Sequence, residues 1–208
     1  MCIRFEAQEF EKLKRQLPVY EWGLRVLLTK LSIINEDLHI LQDNGAIGYI
    51  KSRIKNPESI AQKLHKLGFD LTADNVKTHL RDVAGIRIIC PFAKDIYFLA
   101  GIIREMPDIA ILDEKDYVNN PKSGGYRSYH IIVEVPVYFS GKTEMVPVEV
   151  QIRTEAMNFW ATLEHKARYK YSEQVPQHLS DELVEIANKI AELDYRMFAI
   201  HEDIVSRG

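Results

Sequence analysis

The sequence predicts an α+β protein: a central mixed β-sheet of about five strands flanked by helices, with a long helix at either end. Three observations carry that expectation. Leu24, Leu27, Leu31, Ile34, Leu38 and Leu41 recur at spacings of 3, 4, 3, 4 and 3, the period of one apolar helical seam. Leu179, Leu183, Ile186, Ile190, Leu193, Met197, Ile200 and Ile204 repeat the pattern at 4, 3, 4, 3, 4, 3 and 4. Between these runs the period shortens, and stretches such as Gly85-Ile86-Arg87-Ile88-Ile89-Cys90 read as strands.

Each element has its own signal. Asn56-Pro57-Glu58-Ser59 is a helix start, a cap followed by proline at the first helical position. Ile60, Leu64 and Leu67 then fall on one side and Ser59, Lys63 and Lys66 on another, with Gly68 placed to stop the helix. A short helix is expected from Thr72 to about Leu80, and another along Ile96, Leu99, Ala100 and Ile103, ending before Pro107. Further strands are expected around residues 109–118, 126–139 and 144–152. A helix from Thr154 would turn Ala156, Trp160, Leu163 and Ala167 inward, and Ser180 would cap the last helix, with Asp181 and Glu182 in its first turn. Either seam can pack on its own subunit or meet another; the pattern leaves both open. With no internal repeat and no Ser/Gly-rich linker, the chain reads as one structural unit: a helical extension over residues 1–48, a catalytic body over 49–171 and a helix over 172–208.

The chain has 208 residues, net charge −3 and 46% hydrophobic residues, enough for a real core and too apolar for disorder. No run approaches the roughly 18–20 apolar residues of a membrane span, and no signal-peptide layout opens the sequence. Two cysteines, Cys2 and Cys90, make neither a disulfide framework nor a Cys-rich zinc site. These features lead to the expectation of a soluble, cytoplasmic protein. Charge is uneven: residues 51–66 hold five Lys/Arg against one acid, and residues 173–208 hold eight acids against three bases. A local cationic patch on a near-neutral chain suits a compact anionic ligand better than duplex DNA.

The polar positions of the strands carry the chemistry. In Val146-Pro147-Val148-Glu149-Val150-Gln151-Ile152-Arg153 the aliphatic residues share one face, and Glu149, Gln151 and Arg153 share the other. Tyr126, Ser128 and His130 alternate likewise, so neighbouring strands would line one polar cleft. Pro121-Lys122-Ser123-Gly124-Gly125 precedes them; its glycines permit a turn or a close approach to ligand, with Lys122 to hand. Asp82 and Glu149, 67 positions apart, are the carboxylates to pair on a divalent cation, since Mg²⁺ takes one or two carboxylates plus water and phosphate oxygens. Arg53, Lys55, Lys63 and Lys66 with Ser59 around one helix start form a candidate phosphate site. There is no P-loop, dinucleotide fingerprint, HExxH, GxSxG or kinase motif. Spacing alone therefore ends at a phosphate or nucleotide ligand with Mg²⁺.

At these residues the sequence resembles the RelA/SpoT-type alarmone synthetases. The resemblance lies in Asp82-Val83-Ala84-Gly85-Ile86-Arg87, Gly125-Tyr126-Arg127-Ser128-Tyr129-His130, Val148-Glu149-Val150-Gln151-Ile152-Arg153-Thr154 and Asn158-Phe159-Trp160-Ala161, in the family's order, from about residue 49 to 171. Long members add a hydrolase domain marked by a His-Asp pair; no His-Asp dipeptide occurs here, so the likeness is to the single-domain small synthetases. It implies a nucleotidyltransferase-like fold that moves the β,γ-pyrophosphoryl group of ATP to the 3′-hydroxyl of GDP or GTP, giving AMP and ppGpp or pppGpp. It also implies roles. Asp82 would hold Mg²⁺, and Glu149 would help with the metal and act as base. Arg53 and Arg87 would sandwich adenine, while Lys55, Ser59, Lys63 and Lys66 would meet the ATP phosphates, arginine being common at the last position. Tyr126 would stack on guanine and Asn158 read its edge; Lys115, Lys122, His130 and Gln151 would line the acceptor pocket. Gly124 stands where some members carry serine. The family further implies a homo-oligomer, with a tetramer favoured, and leaves open regulation by single-stranded RNA; activation by product is open too, because residues 24–41 carry only Arg25 and Lys30 as bases. Two rivals remain at this level: a toxin-type relative modifying tRNA 3′ ends or adenine nucleotides, and a non-catalytic nucleotide- or RNA-binding module.

Overall fold

The computed structural model describes residues 7–41, 45–171 and 175–207. In chain order the elements are α1 (Ala7–Leu41), β1 (Tyr49–Ile54), α2 (Pro57–Lys66), α3 (Ala73–His79), β2 (Ala84–Cys90), α4 (Ala93–Arg104), β3 (Ala110–Asp116), β4 (Tyr129–Phe139), β5 (Lys142–Thr154), α5 (Glu155–Lys170) and α6 (Gln177–Ser206). The five strands form one mixed sheet in the order β1-β2-β5-β4-β3, in which β2 and β5 are parallel and every other pair is antiparallel.

Alternation along the central strands creates two unlike faces. Register places Ala84, Ile86 and Ile88 of β2 beside Val148, Val150 and Ile152 of β5, and Val133 and Ile131 of β4 beside Val148 and Val150. All are buried, and they join one core with Leu24, Leu27 and Leu31 of α1 and Ile96, Leu99 and Ile103 of α4. Burying one such aliphatic side chain contributes roughly 1.5–3 kcal/mol, so this face holds the sheet together. The other face keeps the polar residues.

The two seams divide. In α1 Leu24, Leu27, Leu31 and Leu38 are buried against their own sheet, joined by Tyr20 about one turn and Leu13 about three turns before Leu24; the side chain of Leu41 lies outside the described residues. The first half of α6 docks through Ala187, Leu183 and Ile190 on the α5 residues Trp160 and Ala161, and its second half touches the body by another side, with Phe198 and His201 against Phe92 and Glu202 paired to Lys94. Leu193, Met197, Ile200 and Ile204 are 54–65% exposed.

Several boundaries differ from expectation for identifiable reasons. Strand β1 gives little apolar signal, because it is an edge strand whose side chains are mostly exposed, Lys51 and Arg53 among them. The stretch before β4 is a turn, not strand: Gly125 sits at φ +88° and donates to the Lys122 carbonyl at 2.8 Å. A Cβ on Gly125 would lie 2.8 Å from Ala187 Cβ, so its freedom serves the turn and the approach of α6. The last helix starts a turn before Ser180, since the Pro176 carbonyl takes the Leu179 and Ser180 amides, both at 3.0 Å. Leu163 and Leu67 are half exposed; Met157, Trp160 and Ala161 form the buried stripe of α5, and Leu67 is already the C-cap of α2.

Candidate active site

Sheet register assembles the polar face in two rows. One runs Arg53, Gly85, Glu149, Ile132 and Asp113; the next runs Lys51, Arg87, Gln151, His130 and Lys115. Paired residues on adjacent strands share a face, so the parallel β2–β5 pair brings the two halves of the chemistry together. Asp82 lies two residues before β2, which carries Gly85 beside Glu149.

Both carboxylates open onto one cleft of about 400 Å³, shared with Lys63, Lys115, Lys122 and His130. Asp82 Oδ2 accepts from Lys55 Nζ at 2.5 Å and from Lys63 Nζ at 2.7 Å. Burial pushes its carboxyl up, but the two lysines outweigh that and hold it below the usual range. Asp82 Oδ1 is buried without a protein partner, an acceptor free for a cation. Glu149 accepts from Gln151 Nε2 at 2.9 Å and faces His130 Nδ1 at 3.4 Å. Burial raises its carboxyl and the His130 contact lowers it, the net being downward; the Asp82 charge acts on it in the raising direction. Two ionised acids thus share one opening. No cluster of three or more His, Cys, Asp or Glu able to hold a metal occurs among the described residues.

The cationic side comes from β1 and α2. Asn56 caps α2 by accepting from Ser59 N at 2.7 Å. Lys63 and Lys66 occupy the last turn of this ten-residue helix, not its start, so Arg53 on β1 and Lys55 just after it flank the N-terminus, and Lys63 reaches Asp82 from the other end. Lys66 is exposed and does not line the cleft. Arg87 lies within 3.5 Å of both Asn158 Oδ1 and Gln151 Oε1.

The aromatic side lies across the cleft. The Tyr126 hydroxyl meets His130 Nε2 at 2.8 Å, Lys122 Nζ sits 5.1 Å from the Tyr126 ring centre and 4.7 Å from that of Tyr117, and Tyr117 meets His130 edge to face. Helix α6 supports this wall: Arg127 donates to the Val118 carbonyl at 2.6 Å and to Asn188 at 3.2 Å, and Trp160 Nε1 donates to the Leu183 carbonyl at 2.8 Å. Asn158 is placed apart from the wall, buried between Arg87 and Tyr49, to whose hydroxyl it donates at 3.4 Å. Sequence reasoning passed over Tyr117 and Arg81 in the cleft lining. It set Arg153 on the right face but gave it no task, although an arginine two and four positions beyond Gln151 and Glu149 on one strand face was a usable signal.

A mixed sheet bearing two acids, a cationic edge and an aromatic wall defines an enzyme-like nucleotide-binding domain, and the chain belongs to the RelA/SpoT family. The family model described as a region found in RelA/SpoT proteins matches residues 52–174. Within the family the chain is similar to the GTP pyrophosphokinase YwaC of Bacillus subtilis, 43% identical over 194 residues, 93% of this chain and 92% of that protein. Its fold is similar to small alarmone synthetase 1 of Bacillus subtilis bound to its product pppGpp, with TM-score 0.86, 32% identity and coverage of 93% of this chain and 98% of that one. The same relative bound to AMPCPP matches with TM-score 0.79, 30% identity and the same two coverages, 93% and 98%.

Proposed function

We propose that this chain is a GTP pyrophosphokinase that moves the β,γ-pyrophosphoryl group of ATP to the ribose 3′-hydroxyl of GDP or GTP. The observation that carries the reading is the shared cleft of Asp82 and Glu149 between the Lys55–Lys63 side and the Tyr126–His130 side. The relatives named above, with a pppGpp product in one structure and the ATP analogue AMPCPP in another, support both substrates. The bond between the 3′-oxygen and the β-phosphorus forms, the bridge between the α- and β-phosphates breaks, AMP leaves with that electron pair, and Glu149 takes the hydroxyl proton. The hydroxyl is a weak acid, so a carboxylate must stand within hydrogen-bond reach of it. The transferred group needs placement and charge neutralisation more than covalent help.

Asp82, through its free Oδ1, and Glu149 would hold Mg²⁺, which when bound supplies charge neutralisation on the triphosphate. Lys55, Lys63 and Ser59 meet the donor phosphates, with Lys66 at the periphery. Arg53 and Arg87 clasp adenine, a guanidinium stacking task that lysine cannot perform. Tyr126 stacks on guanine, with Lys115, Lys122, His130 and Gln151 around it. Asn158 acts from the donor side by orienting Arg87, a placement supported by its 3.5 Å contact with that residue.

The purified chain, given ATP with GDP, GTP, AMP or tRNA, is expected to release AMP only with the guanine nucleotides and to give a product two phosphates richer. Labelling of tRNA in place of guanine nucleotide would overturn the reading. The exposed heptad positions of α6 support a homo-oligomer, a tetramer by family resemblance; the expected light-scattering mass is a multiple of the chain mass, and a single-chain mass would remove it. The site of action is the cytoplasm, where both nucleotides are made and used; no helix among the described residues is long and apolar enough to cross a membrane.

A further inference from the structure

Behind the cleft lies a closed circuit of polar contacts that begins and ends at one arginine. Arg153, on β5 two and four residues beyond Gln151 and Glu149, is only 4% exposed. One of its terminal nitrogens, Nη2, donates to the Tyr126 hydroxyl oxygen and, at 2.8 Å, to Gln151 Oε1. From Tyr126 the path continues to His130 Nε2 at 2.8 Å, and His130 Nδ1 faces Glu149 Oε1 at 3.4 Å. From Gln151 it continues through Nε2 to Glu149 Oε2 at 2.9 Å. Two arms leave one guanidinium and close on the two oxygens of one carboxylate.

The direction of every link follows from what each group is able to do. A guanidinium only donates and a carboxylate only accepts. Arg153 fills an acceptor position on the Tyr126 oxygen, and the neighbouring Ser128 oxygen already accepts from Arg153 Nε at 3.3 Å while its hydroxyl turns to the Ile152 carbonyl at 3.3 Å, so the geometry assigns the Tyr126 proton to His130 Nε2, 2.8 Å away. That nitrogen must then be bare, and the imidazole proton sits on Nδ1, pointing at Glu149. The opposite tautomer would send the Tyr126 proton to the Ser128 oxygen, which already takes Arg153 Nε, and set a lone pair against the carboxylate. On the other arm, the amide oxygen of Gln151 is fixed toward Arg153, which turns its NH₂ group toward Glu149.

We infer that Arg153 is a positioning residue that orients both arms holding the Glu149 carboxylate, and that the Tyr126 hydroxyl works in the first arm separately from the face of its ring. This rests on the reading of Glu149 as the group facing the acceptor hydroxyl. Arg153 acts through Tyr126, His130 and Gln151 without touching the nucleotide, and it locks the geometry of Glu149 before substrate arrives. Such outer partners typically change activity about 10–100-fold when removed.

The test combines a spectroscopic and a kinetic readout. Protein labelled with ¹³C and ¹⁵N at its seven histidines only is examined by magic-angle-spinning NMR at about pH 8.5, two units above the ordinary imidazole value of about 6.5. The His130 signal is assigned by its loss in His130→Asn. The wild type is expected to carry the proton on Nδ1, with Nε2 shifted by an incoming hydrogen bond; in Tyr126→Phe the Nε2 signal moves to that of an unbonded nitrogen. Tyr126→Phe keeps the stacking ring, so kcat falls about 10–100-fold while the KM for guanine nucleotide stays within about twofold, whereas Tyr126→Ala raises that KM. Arg153→Lys, which retains the charge but not the fork, lowers kcat similarly; should it fail to fold, Tyr126→Phe decides alone. A proton on Nε2 in the wild type, an Nε2 signal indifferent to Tyr126→Phe, or an unchanged kcat in Tyr126→Phe overturns the inference. If the wild type turns over no guanine nucleotide while the NMR result holds, the circuit stands and the proposed function falls.

Discussion

Glu149→Gln is expected to lower kcat for pyrophosphoryl transfer by about 10²–10⁴-fold, the range for removing a positioned general base, while guanine-nucleotide binding and thermal stability change little. The substitution preserves size at a side chain 16% exposed, in a strand paired on both sides with β2 and β4. It removes the carboxylate that His130 Nδ1 faces, the group assigned to take the 3′-hydroxyl proton. An amide at residue 149 also sets one donor against another: an NH₂ placed where Oε2 was meets the NH₂ of Gln151, and turning Gln151 to relieve this breaks its link to Arg153. Loss therefore exceeds that of the proton acceptor alone. A single-turnover rate measured with ATP and GDP, alongside calorimetric binding of GDP, separates the two terms. Undiminished turnover would take Glu149 out of the chemistry, and equal losses in binding and turnover would make it a binding residue only.

Much of this was legible in the sequence because it depends on local periodicity. The seam from Leu24 to Leu38 is buried where its spacing put it, Asn56 and Thr72 cap the helices they precede, and the alternation at Glu149, Gln151 and Arg153 is the polar face of β5. What stayed hidden depends on partners distant in sequence. Strand β1 is recognisable only from β2 beside it, since an edge strand has little need of an apolar face. Tyr126 and His130 meet through a turn followed by a strand, so the contact expected from strand alternation is real but arises differently. The grouping of Lys55 and Lys63 on one carboxylate required the end of β1 and the last turn of α2 to converge, which no spacing encodes. Gly125 looked like a ligand-approach position, and the deciding neighbour proved to be Ala187 on α6.

Asp82→Asn is the second large effect, and it separates two demands placed on one side chain. Lys55 Nζ and Lys63 Nζ both bind Oδ2, leaving Oδ1 buried and unpartnered by protein. Asparagine keeps an oxygen but loses the charge that holds two ammonium groups near one point. The Lys55 side chain is 14% exposed and Lys63 40% exposed, so Lys63 is able to turn to solvent while Lys55 is not. Breaking a fully buried pair costs about 3–5 kcal/mol; with one partner free to hydrate, about 2 kcal/mol is expected, lowering Tm by about 4–8 °C for a chain of this size. Turnover should fall at least 10²-fold, the scale for removing one preorganised electrostatic group at a reacting phosphate, with a raised requirement for Mg²⁺. The stability loss is read without metal, by thermal unfolding in chelator, and the catalytic loss by Mg²⁺ titration at saturating ATP and GDP. If stability falls and excess Mg²⁺ restores full turnover, Asp82 organises the lysines and a neighbouring group carries the ion. If stability holds while turnover is lost at every Mg²⁺ concentration, the free Oδ1 is the operative atom and the lysine contacts merely occupy the site until nucleotide enters. Unchanged turnover at ordinary Mg²⁺ would leave Glu149 without its partner acid, and the shared cleft would no longer explain the reaction.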